Sequence, residues 1–256
     1  MFIFTNVDTI KPLPQHLYPL ATLKEAFIME NVGFRIYEQF MRAPLSLIEQ
    51  FRNIPVANIG DNMGRIYCVN AAIRPFNSLP LLGAASTVKV PAGDNLMFHR
   101  AIDLCQPGDI LVIDGGGYCE RALCGEQMFR YAATKGIAGM VVDGAIRDVE
   151  SLKAVPFPVY ARSVSPNGPY KNGPGEINVP ISIGGMVVFP GDIAVGDADG
   201  VIFVRPQHAL EIAQKAVKQN EAELLRLSQI EDGTADKSWI TTALQQKKCS
   251  VHTGSL

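Results

Sequence analysis

Three short stretches carry residue types that can do chemistry together: Asp114-Gly115-Gly116-Gly117, Gly125-Glu126, and Asp143-Gly144-Ala145-Ile146-Arg147-Asp148. The apolar runs Ile110 to Ile113 and Met140 to Val142 each end in Asp-Gly, and a predicted helix opening with Gly-Glu lies between them. Strand ends, glycine turns and helix N-termini are where α/β proteins gather polar groups around a ligand. Carboxylates with one arginine in those places suit a divalent cation bound beside an anionic small molecule.

Each motif has a bland reading beside the chemical one. Arg147-Asp148 pairs a group that can grip a carboxylate bidentately with one that can hold a hard cation; it reads equally as a helix N-cap beside a surface charge. At Gly125-Glu126 the free N–H groups of Gln127 and Met128 would face an anion, while Glu126 could simply be an acid favoured in the first helical turn. The triple glycine invites a nucleotide or S-adenosylmethionine, but Cys119 and Glu120 break the G-x-G-x-x-G spacing. A tight turn with several positive φ values explains it as well, and beside the other two motifs it reads as a wall of the site. His16, His99, His208 and His252 form no HxH or HExxH pair, which argues against zinc. No Gly-x-Ser-x-Gly elbow supports a serine hydrolase. Asp197 and Asp199 straddle a turn ending in Gly200 and read as a hairpin.

The elements that must position these residues follow from periodicity and punctuation. Pro44 starts a helix with Leu45, Leu47, Ile48 and Phe51 on its apolar side, and Ile54 to Ile59 resumes as extended chain or turn. Leu81 to Val90 reads as a strand, and Asp94 or Asn95 caps a helix that Pro107-Gly108-Asp109 stops. Then come strand Ile110 to Ile113, a helix from Gly125 to Lys135 closed by Gly136, strand Gly139 to Val142, a short helix Val149 to Val155, and extended Phe157 to Ala161. Alternating strands and helices predict a parallel α/β layer. Ser163 to Glu176 is a long Gly/Pro/Asn loop, a kind that usually serves function or interfaces. Ile177 to Val204 is β-rich, Pro206 to Leu227 is one amphipathic helix, and the tail is expected to pack a short helix carrying Trp239. The domain reading is an N-terminal arm and helix over residues 1–55, a core over 56–205 and a helical extension over 206–256.

Composition narrows the field. The chain has 256 residues, 47% hydrophobic and 19% charged, which is enough for one substantial core. A formal charge of −2 gives no electrostatic reason for nucleic-acid binding. No apolar run reaches the roughly 20 residues that span a bilayer, and the N-terminus lacks signal-peptide order. Five cysteines without CxxC spacing read as free thiols, so a cytoplasmic location is expected.

Taken together, the motifs resemble the RraA-like family, which includes class II 4-hydroxy-4-methyl-2-oxoglutarate and 4-carboxy-4-hydroxy-2-oxoadipate aldolases. The resemblance runs from Val56 to Val204. It rests on the motifs above with Pro107-Gly108-Asp109, Gly173-Pro174-Gly175-Glu176-Ile177-Asn178-Val179-Pro180, Pro190-Gly191-Asp192 and Gly196-Asp197-Ala198-Asp199-Gly200. It implies a swivelling β/β/α domain with a central mixed sheet, assembled as a homotrimer or hexamer. Family aldolases carry an acid, twenty residues and Arg-Asp, matched here by Glu126 and Arg147-Asp148. By that resemblance Asp148 anchors Mg2+ or Mn2+, Arg147 binds a small 2-oxo acid near its oxo group, Gly125, Glu126, Gln127 and Met128 are substrate-binding, and the backbone amides after Glu126 hold the pyruvyl carboxylate. Arg147, Glu126 and Asp148 become the catalytic residues of a metal-dependent pyruvate aldolase with possible oxaloacetate decarboxylation. An acid that many members carry three positions after the aspartate is Ser151 here, with Glu150 adjacent, and an acid from a neighbouring subunit corresponds to Glu221 or Glu223. The resemblance also admits a non-catalytic regulator that binds ribonuclease E and, third, a demethylmenaquinone methyltransferase.

Overall fold

The computed structural model describes residues 31–252 and 254. The expectations placed on residues 1–30, His16 among them, lie outside the described residues. In chain order the elements are β1 (Phe34–Ile36), α1 (Leu45–Ile48) with a 3-10 turn (Glu49–Phe51), α2 (Val56–Asp61), β2 (Arg74–Pro75), β3 (Leu81–Lys89) and α3 (Leu96–Leu104). Next come β4 (Asp109–Cys124), α4 (Glu126–Thr134), β5 (Gly139–Ile146), a 3-10 turn (Val149–Lys153), β6 (Val159–Val164), β7 (Gly175–Ile177), β8 (Ile181–Ile183) and β9 (Met186–Val188). β10 (Ile193–Asp197), β11 (Gly200–Val204), α5 (Pro206–Glu231) and α6 (Ser238–Gln246) complete it.

β3, β4, β5 and β6 run parallel side by side, as the alternation of strands and helices predicts. On its other edge β3 pairs antiparallel with β10 through Leu81 to Ala84 and with β7 through Val88 and Lys89. β2 closes against β6, and β1 adds a parallel strand to β7, so the α/β fold has a mixed central sheet. Successive strand residues face opposite sides. In β4, Leu111 and Ile113 therefore join α3 and α4 in one core, with Phe98, Ile102 and Phe129. Ile110 and Val112 join Ile181, Ile183 and Val188 under the β8–β9 hairpin on the other face. A third core packs α1, α2 and the first turns of α5 over β10 and β11. The chain before α1 is fastened to the sheet by Arg35 on Glu176 (2.6 Å) and by the Arg42 fork on Asp109 (2.8 and 2.7 Å).

Four local expectations are corrected. Val56 to Asp61 is helical, not extended, because the Asp197 carboxylate accepts the Val56 N–H at 2.8 Å and so caps α2 from a distant hairpin. That same hairpin matches its reading: Asp197 faces Gly200 across the turn and also accepts the Asp199 N–H at 2.9 Å. The triple glycine makes no tight turn. β4 continues through it as a bulge, with Asp114 opposite Asp143 and Tyr118 opposite Gly144. Gly116 and Gly117 take φ values of 67° and 72°, and a Cβ on Gly115 would stand 2.9 Å from the Asp143 carbonyl. The third correction concerns the long loop, whose predicted start at Ser163 lies inside β6. Last, α6 forms, but Trp239 is 59% exposed and no residue of the helix is buried.

Candidate functional site

β4 and β5 are parallel neighbours, with Cys124 opposite Ile146 at their C-terminal ends. Whatever follows each strand must therefore meet: Gly125 and α4 after β4, Arg147 and Asp148 after β5. The Arg147 N–H donates to the Cys124 carbonyl (3.0 Å), locking the two ends together. Asp148 takes the left-handed conformation, φ 57° and ψ 35°, which is uncommon for a residue with a side chain and worth a functional look. Its carboxylate does not cap the 3-10 turn it precedes, so the bland N-cap reading is corrected. Instead Oδ2 accepts the Glu126 N–H at 3.2 Å, at the start of α4, with Arg147 Nε 3.6 Å away. A helix N-terminus favours a negative charge there. A side chain at 125 would disturb both groups: a Cβ would run into the Asp148 carboxylate and stand 2.9 Å from Arg147 Cγ. Gly168 lies against the far end of the same arginine, its Cβ position 3.0 Å from Arg147 Nη1.

These ends open on a cavity of about 230 Å3 lined in part by Asn95, His99, Gln127, Arg147, Asp148 and Lys171. The Gln127 N–H donates to no acceptor among the described residues, so it is an open donor at the helix start. Met128 differs from expectation: its N–H is already donated to the Gly125 carbonyl at 3.0 Å. Met128 still lines the cavity. Glu126 is brought only halfway. Its backbone is fixed on Asp148, but its carboxylate pairs with Arg130 at 2.8 Å, one helical turn on, and does not line the cavity. The triple glycine is not a wall of this cavity either; Gly117 lies against Arg162, which binds Asp143 at 2.6 Å.

Three lining residues escaped sequence reasoning. Asn95 is 2% exposed, and its Nδ2 donates to the Leu123 carbonyl at 2.8 Å, while its Oδ1 is buried without a partner among the described residues. A buried acceptor left open is a place for a ligand or water donor. His99 follows one turn later. Burial of the ring, then the Lys171 charge, hold the imidazole below its ordinary value, so it is neutral near pH 7. Lys171 projects from the long loop between two anchored neighbours. The Asn172 N–H donates to Asp94 (2.6 Å), and the Tyr170 backbone exchanges hydrogen bonds with Gly93 (2.8 Å) and Asn95 (2.9 Å). The Gly/Pro/Asn composition of that loop was the available signal; which of its side chains reaches the cavity was not written in it.

No three of His, Cys, Asp and Glu come together among the described residues. A cation at this site would thus rest on Asp148, with water and ligand oxygens completing its shell, a pattern that suits Mg2+ or Mn2+ better than zinc. Asp148 Oδ1 takes no hydrogen bond from the described residues, which leaves it available for such a role. Ser151 is occupied, donating Oγ–H to the Asp148 carbonyl at 2.7 Å, and Glu150 pairs with Lys153. Glu223 is held by Asn58 (2.8 Å) and Gln219 (2.9 Å) on α5, and neither it nor Glu221 lines the cavity of its own chain.

A sequence family described as Aldolase/RraA, RraA-like, matches residues 56–203. A protein of Halalkalibacterium halodurans, provisionally named 4-hydroxy-4-methyl-2-oxoglutarate aldolase, is 42% identical over 192 residues, 75% of this chain and 91% of its own. A 4-hydroxy-4-methyl-2-oxoglutarate aldolase of Thermus thermophilus is 38% identical over 111 residues, 43% of this chain and 68% of its own. Among solved structures, the RNA-processing inhibitor RraA from Thermus thermophilis superposes with a TM-score of 0.54 at 30% identity, covering 59% of this chain and 92% of that one.

Proposed function

The chain belongs to the RraA-like family, and on that premise we propose that it is a divalent-metal-dependent carbon–carbon lyase. Its reaction in this reading is retro-aldol cleavage of a 4-hydroxy-2-oxo acid, such as 4-hydroxy-4-methyl-2-oxoglutarate, to pyruvate, with oxaloacetate decarboxylation as a related activity. The observation that carries it is the meeting of Arg147, Asp148 and the open Gln127 N–H at one small cavity. Relatives named as aldolases support the same chemistry.

In cleavage the 4-hydroxyl loses its proton, the C3–C4 bond breaks, and C4 becomes the carbonyl of the departing product. The bonding pair moves toward C2, placing negative charge on the 2-oxo oxygen, and C3 then takes up a proton to give pyruvate. Arg147 lies where it can stabilise that developing charge, which favours the transition state over the ground state. The α4 N-terminus, through Gln127, receives the pyruvyl carboxylate. Mg2+ or Mn2+ held by Asp148 would supply Lewis-acid polarisation of the oxo group. Glu126 at the rim handles the hydroxyl proton through water once it leaves Arg130. Lys171, with no carboxylate of its own among the described residues, faces the second carboxylate of a dicarboxylic substrate. The assembly in this reading is a ring-like trimer or hexamer in the cytoplasm, with Glu221 or Glu223 reaching a neighbour's site. Among the described residues no helix is long and apolar enough to cross a membrane.

The deciding experiment is pyruvate release from 4-hydroxy-4-methyl-2-oxoglutarate and from oxaloacetate, with Mg2+, with EDTA, and in Asp148→Ala. Activity that ignores both chelator and substitution sinks the reading. The likeness to an RNA-processing inhibitor favours one alternative, regulation of ribonuclease E by protein contact. Ribonuclease binding unaffected by Asp148→Ala, without lyase activity, would establish that instead.

A further inference from the structure

A cavity of about 900 Å3 shares no residue with the one at Arg147. It forms where the end of β11 and the start of α5 meet β9 and the segment after α2. Met63, Ile66, Tyr67, Met186, Phe203 and Ile212 give it apolar walls, and Asp192, Arg205 and His208 form its polar side. Ligand sites usually span roughly 300–1,000 Å3 and combine such walls with a few convergent polar groups.

The polar side is selective in sign. Asp192 is 2% exposed, and its Oδ2 is engaged by the Phe189 N–H at 2.8 Å. Its Oδ1 faces Arg205 Nε at 3.5 Å. The Arg205 guanidinium lies over the Phe189 ring, 3.4 Å from its centroid, so its plane is held. Among the described residues its two terminal nitrogens donate to nothing. The buried acceptor is therefore engaged while the guanidinium edge is open, an arrangement that fits a carboxylate. The N-terminus of the 26-residue α5 adds to the same sign.

We propose that this cavity is a second ligand site, for an amphipathic monocarboxylate whose head group sits on Arg205 and whose aromatic or branched body lies between Ile66, Tyr67 and Phe203. This site is independent of the lyase reading and stands or falls without it.

The test uses calorimetry on the full chain with 4-phenylbutyrate and with uncharged 4-phenylbutan-1-ol. The acid should bind at least about tenfold more tightly than the alcohol, the scale of a charge-assisted hydrogen bond. Arg205→Gln should abolish that preference while leaving the alcohol's affinity unchanged. Equal affinity for acid and alcohol, no binding of the acid, or a preference that survives Arg205→Gln overturns the proposal. Ile66 is 70% exposed at the rim, so Ile66→Asp should fold and weaken the acid by like-charge repulsion at constant molecular mass. A drop in mass by light scattering with that variant would mean that a second copy covers the cavity, which also overturns the proposal.

Discussion

The Glu126 N–H donates to the Asp148 carboxylate across 3.2 Å, which ties the start of α4 to the end of β5 as one unit. The proposed cation ligand and the helix N-terminus that would receive the substrate carboxylate are therefore in direct contact. Twenty residues separate Glu126 from Arg147 in the chain, yet the parallel pairing of β4 with β5 delivers them to the same edge.

Gly125→Ala tests that unit with a single carbon. The new Cβ must displace the Asp148 carboxylate or Arg147 Cγ, the latter at 2.9 Å. Because the backbone at 125 is extended, φ −158°, alanine itself is not strained there. The expected result is a loss of about 100-fold in kcat/KM with a melting temperature close to wild type, since a misplacement of about 1 Å costs that much in catalysis. Wild-type kinetics in this variant would show that the packing at Gly125 does not matter to the reaction.

Asp148→Asn separates charge from shape. Asparagine tolerates the left-handed backbone at φ 57°, so the fold should be kept. Mn2+ binding, followed by the paramagnetic resonance of the free ion, should weaken at least about tenfold, and cleavage should drop by about 100-fold or more. Unchanged Mn2+ affinity would remove Asp148 from the cation site.

Lys171→Met asks what recognises the far end of the substrate. Binding of 2-oxoglutarate should weaken about tenfold, while 2-oxopentanoate, which lacks the second carboxylate, should bind as before. The lysine is exposed and its loop is held by backbone contacts, so folding should survive. Equal weakening of both ligands would place Lys171 on the pyruvyl carboxylate instead.

Asp192 predicts a pH dependence of stability. Burial raises its carboxyl from 3.8 to about 6, against the opposing effects of the Phe189 N–H and Arg205. The native state thus keeps this proton longer than the unfolded chain, so the group's contribution is present below about pH 4 and is lost as pH rises through about 6. A shift of about two units corresponds to up to about 3 kcal/mol. Denaturant melts of wild type and Asp192→Asn should diverge over that window, the wild type losing stability relative to the variant. A constant difference from about pH 4 to about pH 7 would refute it.

Asp197→Ala removes the distant cap of α2 and the Asx turn of the hairpin together. A cost of about 1–2 kcal/mol in urea melts is expected, with cleavage kinetics unchanged because Asp197 lies outside the Arg147 cavity. A cost below about 0.5 kcal/mol would mean that water replaces both bonds.

Local sequence determined much of this protein. Apolar runs with β-branched residues specified β3, β5 and β11, Gly136 marked the end of α4, and Gly125-Glu126 with Arg147-Asp148 pointed to the right edge of the sheet, although the Asp-Gly pairs taken as strand ends lie inside β4 and β5. Those signals are legible because they depend on neighbours a few residues apart. Tertiary structure decided the rest. The helix at Val56 exists through an acceptor 141 residues away, and the glycine run became a bulge because β5 passes alongside it. Asn95 and Lys171 enter the site only because the long loop folds back onto the start of α3. Glu126, the most suggestive acid by spacing, turns its carboxylate to Arg130, since an ion pair one turn along a helix forms without any tertiary partner. Spacing along the chain could name the residues at the strand ends; only the packed sheet and its loops determine which of their side chains share a cavity.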